Sequence, residues 1–299
     1  MSQHLYILTG ASRGMGLAMA QQLLQPSHSL VCISRQANAE LAQAARAADV
    51  PLAQWTQDLA DGEGASERLR SWLAAQKPGQ WQQATLINNA AALPRIAPLA
   101  QWTQDLADGE SASERLRSWL TAQKPGQWQQ ATLINNAAAL PRIAPLAQSH
   151  AHELATVLRV GLEAPMQLCA AFLGATEAWG VPRRVLNISS GLGRRAMASQ
   201  TAYCAVKAGM DHFTRCLALE EELKPHGAKV CSLAPGVIDT DMQVQLRGAQ
   251  AHDFPDQPRF AQLKERGLLS SPQEAAASVL AYLARADFGS QPVADVREP

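Results

Sequence analysis

The sequence predicts an α/β protein built on one Rossmann-like, doubly wound parallel sheet, and three observations predict it. Apolar strand-like runs alternate with helical patterns along most of the chain. A glycine-rich turn, Thr9 to Gly16, joins the first such strand to the first helix. Subtracting one 47-residue copy of an internal repeat from the 299 residues leaves 252, close to the size of an α/β domain of about 250 residues. Residues 1–299 are therefore expected to form one dinucleotide-binding domain carrying a surplus segment.

The elements follow in order. Leu5 to Leu8 is a short apolar run that ends in the glycine turn, and a helical pattern continues to about Leu24. Leu30 to Ser34 reads as the second strand, and an alanine-rich helix runs to about Ala48.

The repeat comes next. Gln54 to Ala100 returns as Gln101 to Ala147 with two differences, Gly64 against Ser111 and Ala74 against Thr121. Such closeness excludes the diverged modules of a solenoid and points to a recent tandem duplication. Each copy carries a strand end (Ala53 to Asp58 in the first), a helix with Leu69, Trp72 and Leu73 on one face, and the strand Ala84 to Ile87. The second copy's strand, Thr132 to Asn136, leads directly into the following helix, so it is expected in the site. The surplus is then expected between the second helix and the third strand, or within the next crossover, away from the chemistry at the strand C-terminal ends. Six of the seven tryptophans lie in the two copies. The surplus copy is thus expected to expose apolar surface, a risk of aggregation or dimerisation.

Beyond the repeat, a helix through Leu154 to Leu173 precedes the strand Val185 to Ile188. A helix from about Tyr203 to Leu223 and the strand Lys229 to Leu233 complete the alternation. Residues 241 to 272 are polar, contain Pro255, Pro258 and Pro272, and read as a substrate lid with short helical pieces. A last helix, Pro272 to Arg285, leads to a short strand near Val293 to Val296.

Composition narrows the function classes. With 26 Lys+Arg against 26 Asp+Glu and 47% hydrophobic residues, the chain is neither disordered, collagenous nor coiled-coil. Its zero net charge offers no footprint for nucleic acid or an anionic membrane. Five scattered cysteines without a CxxC spacing read as buried thiols in a reducing compartment. No run reaches ~18 consecutive apolar residues, and the first strand begins too early for a signal peptide to precede it, so a cytoplasmic location is expected. His150-Ala151-His152-Glu153 lacks the i, i+4 histidines of a zinc helix, the other histidines are isolated, and no metal site is expected. Ser190 has no Gly-x-Ser-x-Gly elbow around it and is not read as a hydrolase nucleophile.

The turn Gly10-Ala11-Ser12-Arg13-Gly14-Met15-Gly16 predicts dinucleotide binding. Its glycines permit a tight turn, close approach to a pyrophosphate, and a helix N-terminus aimed at it. The second strand ends in Ser34-Arg35, where an NAD-specific site would carry an acid. Arg35 and Arg13 together favour a 2′-phosphate, and hence NADP(H), through charge-assisted bonds.

Ser189-Ser190 ends a strand, and thirteen positions after Ser190 stands Tyr203, followed by Lys207 on the same helix. Four residues apart, Tyr203 and Lys207 share a face. A protonated lysine would lower the tyrosine's pKa and make it a proton donor and acceptor near neutrality, while Ser190 polarises a carbonyl.

With these motifs the sequence resembles the short-chain dehydrogenase/reductase family. Thr9 to Gly16 matches its Thr-Gly-xxx-Gly-x-Gly turn, and Asn135-Asn136-Ala137-Ala138 its Asn-Asn-Ala-Gly strand end. Leu186 to Ser190, Tyr203-xxx-Lys207 and Ala234-Pro235-Gly236-Val237 complete the set. Within the family, Arg35, the Asn-Asn-Ala-Ala variant and the ending Val293 to Arg297 look most similar to sepiapterin-reductase-like and benzil-reductase-like carbonyl reductases. The resemblance implies an NAD(P)-dependent oxidoreductase of one Rossmann domain, dimeric or tetrameric, acting on a small carbonyl or alcohol substrate. It further implies that Asp105 (or Asp58) and the residue after it, Leu106, flank the adenine, and that Asn136 and Ala137 support the cofactor. Lys207 would also hold the nicotinamide ribose, and Val237, Ile238 and Thr240, after Pro235 and Gly236, would meet the carboxamide. One departure stands out: Gly161 occupies the place of a catalytic asparagine, which is expected to weaken proton delivery without abolishing it.

Overall fold

The computed structural model describes residues 4–56, 68–69, 71–72, 75–76, 81–88, 109–123, 126 and 128–298. Among these residues eight parallel strands form one sheet: β1 (His4–Thr9), β2 (His28–Ser34), β3 (Leu52–Thr56), β4 (Gln83–Asn88), β5 (Gln130–Asn135), β6 (Arg183–Ile188), β7 (Lys229–Ala234) and β8 (Val293–Asp295). Their spatial order is β3-β2-β1-β4-β5-β6-β7-β8, so the direction of strand addition reverses between β1 and β4. Ligand crevices of doubly wound sheets open at that switch point.

Alternate side chains of each strand enter two cores, as a sheet covered on both faces requires. Leu5, Ile7, Val31, Leu133, Val185 and Val230 pack toward α3 (Gly109–Thr121), α5 (Ala164–Thr176) and α6 (Thr201–Glu222). Leu8, Leu30, Ile87, Ile134, Leu186 and Leu233 pack toward α1 (Gly14–Gln22) and α9 (Pro272–Ala284). Between α1 and β3 runs α2 (Ala39–Ala47), capped by Asn38, whose side chain accepts from the Leu41 amide at 2.8 Å. The same Asn38 donates to the Ser12 carbonyl at 3.2 Å and is gripped by the Gln54 amide, so the first copy's leading residue braces the glycine turn.

The helix expected from Leu154 to Leu173 is interrupted. α4 (Ala151–Leu158) passes through a π-turn at Arg159–Glu163 into α5. The whole run Ala151–Trp179 is long and apolar enough by composition to cross a membrane, but 56% of its most apolar window is buried in this fold. Between β7 and α9, α7 (Asp241–Gly248) and α8 (Gln257–Glu265) supply the short helical pieces expected for residues 241 to 272.

The repeat does not behave as the sequence reading expects. Its two identical hexapeptides, Gln-Ala-Thr-Leu-Ile-Asn, become adjacent strands paired in register from Gln83 opposite Gln130 to Asn88 opposite Asn135. The first copy's strand sits directly beside β1, and the second copy's, expected in the site, lies one strand further out. A parallel strand offers one donor–acceptor edge on each side, so an identical strand propagates the ladder without a mismatch. The extra strand therefore lies at the switch point, not away from the chemistry. The tryptophans also differ from expectation: Trp55, Trp81 and Trp128 are buried, and Trp72 stacks on Trp81 with centroids 5.4 Å apart. The cost appears elsewhere, because the indole N–H groups of Trp81, Trp119 and Trp128 are buried without a hydrogen-bond partner among the described residues. Of the five cysteines, Cys32, Cys169 and Cys231 are buried as expected, whereas Cys204 is half-buried and Cys216 exposed.

Candidate active site

The glycine turn is built as its sequence requires. Gly10 (φ 68°) and Gly14 (φ 57°) occupy the left-handed region, and the Gly10 amide donates to Ile33 O at 2.9 Å, tying the turn to β2. A Cβ on Gly14 would meet nothing within 4 Å, so the backbone conformation, not crowding, demands glycine there. Arg13 caps α1 with no side-chain hydrogen bond to the first turn, which leaves those amides for a ligand. An open, uncapped helix start behind two left-handed glycines fits the pyrophosphate of a dinucleotide. Gly10, Ser12, Arg13, Gly14, Met15 and Arg35 all line one cavity of about 1010 Å³. Gly16 does not; it is buried inside α1, where a small residue lets helix and sheet approach.

The two arginines differ. Arg35 follows the end of β2 and lines the cavity. Arg13 reaches across the crevice and pairs with Asp241 at 2.9 Å, both side chains 61% exposed.

On α6, Tyr203 and Lys207 are buried together, and Lys207 Nζ lies 5.7 Å from the Tyr203 ring centroid. Nζ donates to Ile188 O at 2.8 Å, fixing the ammonium against the end of β6. Ser190 shares a hydrogen bond with Tyr203, and its Oγ accepts from the Leu192 amide at 3.2 Å. Burial pulls Lys207 down to about 8, partly countered by Asp211. Burial pushes Tyr203 up to about 12 against the opposing Ser190 hydrogen bond. This corrects the expectation of a lysine-lowered phenol: Tyr203 holds its proton at neutral pH, the form that can donate to a carbonyl oxygen.

Asp211 is a buried carboxylate that the sequence reading missed. One turn beyond Lys207, its Oδ1 accepts from Ser189 Oγ at 2.5 Å and Ser232 Oγ at 2.7 Å, and Oδ2 lies 3.6 Å from Arg194 Nε. It pins α6 to the ends of β6 and β7. Its i, i+4 spacing from Lys207 was the available signal.

Asn135 donates to Asn187 Oδ1 at 2.9 Å and Asn187 to Thr214 Oγ1 at 3.0 Å, a buried polar chain from β5 through β6 to α6. Beyond it, Asn136 and Ala138 line the cavity, but Ala137 points into a core cluster with Val157, Val160 and Val206. The expected cofactor contact of Ala137 is thus replaced by packing, because neighbouring residues of an extended chain face opposite ways. Asp105 and Leu106 lie outside the described residues, as does Asp58. β3, which pairs with β2, ends at Thr56 in the first copy. Gly161 sits in the π-turn, where a Cβ would come within 2.5 Å of Val206 Cγ1. That turn interrupts the α-helical hydrogen-bond ladder, a feature frequent at functional sites.

Pro235, Gly236, Val237, Ile238 and Thr240 line the cavity with Ser190, Tyr203 and Lys207, so the expected residues other than Gly16, Ala137, Asp105 and Leu106 share one space.

Comparison with known proteins agrees with this geometry. Residues 121–251 match the family described as short chain dehydrogenase. The chain is 30% identical over 282 residues to a benzil reductase ((S)-benzoin forming) of Bacillus cereus, covering 94% of each chain. It is 28% identical over 297 residues to the protein of the same name in Bacillus subtilis (strain 168), covering 98% of each. Among solved structures, carveol dehydrogenase of Mycobacterium avium in complex with NAD superposes with a TM-score of 0.63 at 16% identity, covering 99% of this chain and 97% of that one.

Proposed function

This chain belongs to the short-chain dehydrogenase family, as an NAD(P)-dependent oxidoreductase of carbonyl and alcohol groups, and we propose that it reduces a ketone or aldehyde with NADPH while Tyr203 supplies the proton. The single observation that carries this reading is that Tyr203, Lys207 and Ser190 open onto the same cavity as the uncapped glycine turn. When bound, the dinucleotide supplies the hydride. Ser190 then holds the substrate oxygen, Tyr203 gives it a proton from the phenol, and Lys207, fixed by Ile188 O, stabilises the phenolate left behind. Arg35 supports the choice of NADPH over NADH, and the segment 241–272, which borders the cavity through α7 and α8, acts as the lid. The similarity to the two Bacillus proteins makes an aromatic diketone a sensible first substrate.

Tyr203→Phe tests the assignment. Turnover of NADPH with benzil should fall by roughly 10²-fold or more with NADPH binding retained; unchanged turnover rejects it.

A second reading is favoured by β4. A tandem duplication that places one more strand between β1 and β5 moves the glycine turn from the catalytic strand end by ~4.8 Å, one interstrand spacing. Catalytic geometry tolerates about 1 Å before losing on the order of 10²-fold. On this reading the full-length chain binds the cofactor and turns over slowly.

A further inference from the structure

The chain carries equal numbers of acidic and basic residues, 26 of each, yet among the described residues its cavity is lined by eight Lys and Arg and two carboxylates, Asp239 and Asp241. Both carboxylates are taken. Asp241 pairs with Arg13, and Asp239 with Lys264 and Arg247. Arg297 is neutralised by Asp295, which it meets at 2.6 Å. At the cofactor end, Arg35 and Arg13 face the anionic dinucleotide of the proposed reaction. Lys207 belongs to the catalytic pair and donates to Ile188 O. Two cations are left, Arg195 and Arg259, and neither has an ion-pair partner among the described residues.

Both residues sit on segments that share one apolar cluster. Arg195 lies in the loop that leaves Ser190, and the Cys204 thiol, beside Tyr203, approaches its carbonyl at 4.0 Å. Arg259 is on α8, next to Phe260. Phe260 packs in one cluster with Met197 of the Arg195 loop, with Leu246 and Phe254, and with Leu192 and Cys204. That apolar cluster joins α8 to the loop after Ser190, and Arg195 and Arg259 line the same cavity. Two guanidiniums that line one cavity without a carboxylate partner are suited to an anion.

We propose that the carbonyl substrate carries an anionic group, a carboxylate or its equivalent, which Arg195 and Arg259 bind on the lid side of the cavity. The inference rests on the carbonyl-reductase reading and narrows it: an apolar ketone satisfies the catalytic residues but leaves the two arginines unused.

The test compares 4-acetylbenzoate with its methyl ester, two ketones of nearly the same shape in which the charge is remote from the reacting carbon. Two ratios are measured on the full chain, kcat/KM with NADPH and affinity by calorimetry with NADP⁺ present. Wild type should prefer the carboxylate by roughly tenfold or more at low salt, and raising the ionic strength should erode the preference. Arg195→Gln and Arg259→Gln should each cut the ratio by roughly fivefold, the scale of one exposed ion pair. Arg195→Lys, which keeps the charge, should retain most of it. A wild-type ratio near one in both measurements overturns the proposal while reduction of the ester leaves the catalytic reading intact. Preferential binding of the carboxylate, lost in the Gln variants, upholds the proposal even where neither compound is reduced. Equal losses in Arg195→Lys and Arg195→Gln overturn the electrostatic role of Arg195.

Discussion

Asn88 and Asn135 are register partners on adjacent parallel strands, and they are the same residue of the same hexapeptide. The pair stands between the strand that carries the glycine turn and the strands that carry Asn136 and Ser190. Removing residues 101–147 joins Ala100 to Gln148, and Pro-Leu-Ala-Gln-Ser reads on unchanged at the junction. The shortened chain should pair its one remaining copy of the hexapeptide directly with both β1 and β6. Its turnover with NADPH and a diketone should exceed that of the full chain by roughly 10²-fold, the penalty expected for misplaced reacting groups. Equal turnover of the two forms would show that the added strand leaves the catalytic distance unchanged.

Lys207 sets a pH limit. Its ammonium is held near 8 rather than 10.5, mainly by burial, so it is charged below about 8 and neutral above. Tyr203, near 12, keeps its proton throughout that range. Reduction should therefore decline as pH rises through about 8, and Lys207→Arg should remove this limb from the kcat profile, at whatever overall rate it retains. The folded state also binds this proton less tightly than the unfolded chain, so stability should rise as pH increases between the two values. Chemical denaturation at pH 7 and pH 9.5 measures that sign.

Asp241 holds the Arg13 guanidinium that the proposed NADPH reading assigns to the 2′-phosphate. Their exposed ion pair is worth about 0–1 kcal/mol, and its carboxylate faces the space that an anionic dinucleotide would share. Asp241→Asn should tighten NADPH more than NADH, by roughly threefold in the ratio of dissociation constants, which fluorescence titration resolves. An unchanged ratio would place Arg13 outside 2′-phosphate recognition.

Gly161 cannot simply be given back a side chain. A Cβ there would lie 2.5 Å from Val206 Cγ1. Gly161→Asn should cost about 1–3 kcal/mol by overpacking. Adding Val206→Ala should recover stability, and the double variant then shows whether the amide speeds proton delivery. Thermal melts and kcat together separate the two effects.

Trp128 is buried, stacks on Trp179 at 6.3 Å, and leaves its indole N–H without a partner among the described residues. Trp128→Phe loses contact area but also removes an orphan donor worth about 1–3 kcal/mol. It should change stability by less than ~1 kcal/mol, where truncation of a buried aromatic to alanine costs about 3–5 kcal/mol. A loss above that in urea unfolding would mean the N–H finds water.

Much of the site was legible because it is local. The turn from Gly10 to Met15 and the i, i+4 spacing of Tyr203 and Lys207 declare their geometry within a few residues, and the structure brings them to one cavity. What escaped the sequence depends on pairing across distance. The place of β4 was invisible because copies of one hexapeptide compete equally for the same neighbours. The Arg13–Asp241 pair joins residues far apart in the chain, and the fate of Tyr203's proton depends on burial that spacing does not encode. Ala137 failed for a simpler reason: a motif names adjacent residues, while an extended backbone sends them to opposite sides.

The in-register pairing of β4 with β5 has a consequence for how such proteins enlarge. Sheets are commonly thought to grow at their rims, where unpaired edges invite another strand. Here two strands of identical sequence lie side by side in the interior, because a strand whose edges match each neighbour can sit between any two parallel strands. Accretion from within leaves the outer boundary untouched and changes only the gap it enters, so a single genetic event can retune the width of a binding crevice without redesigning either wall.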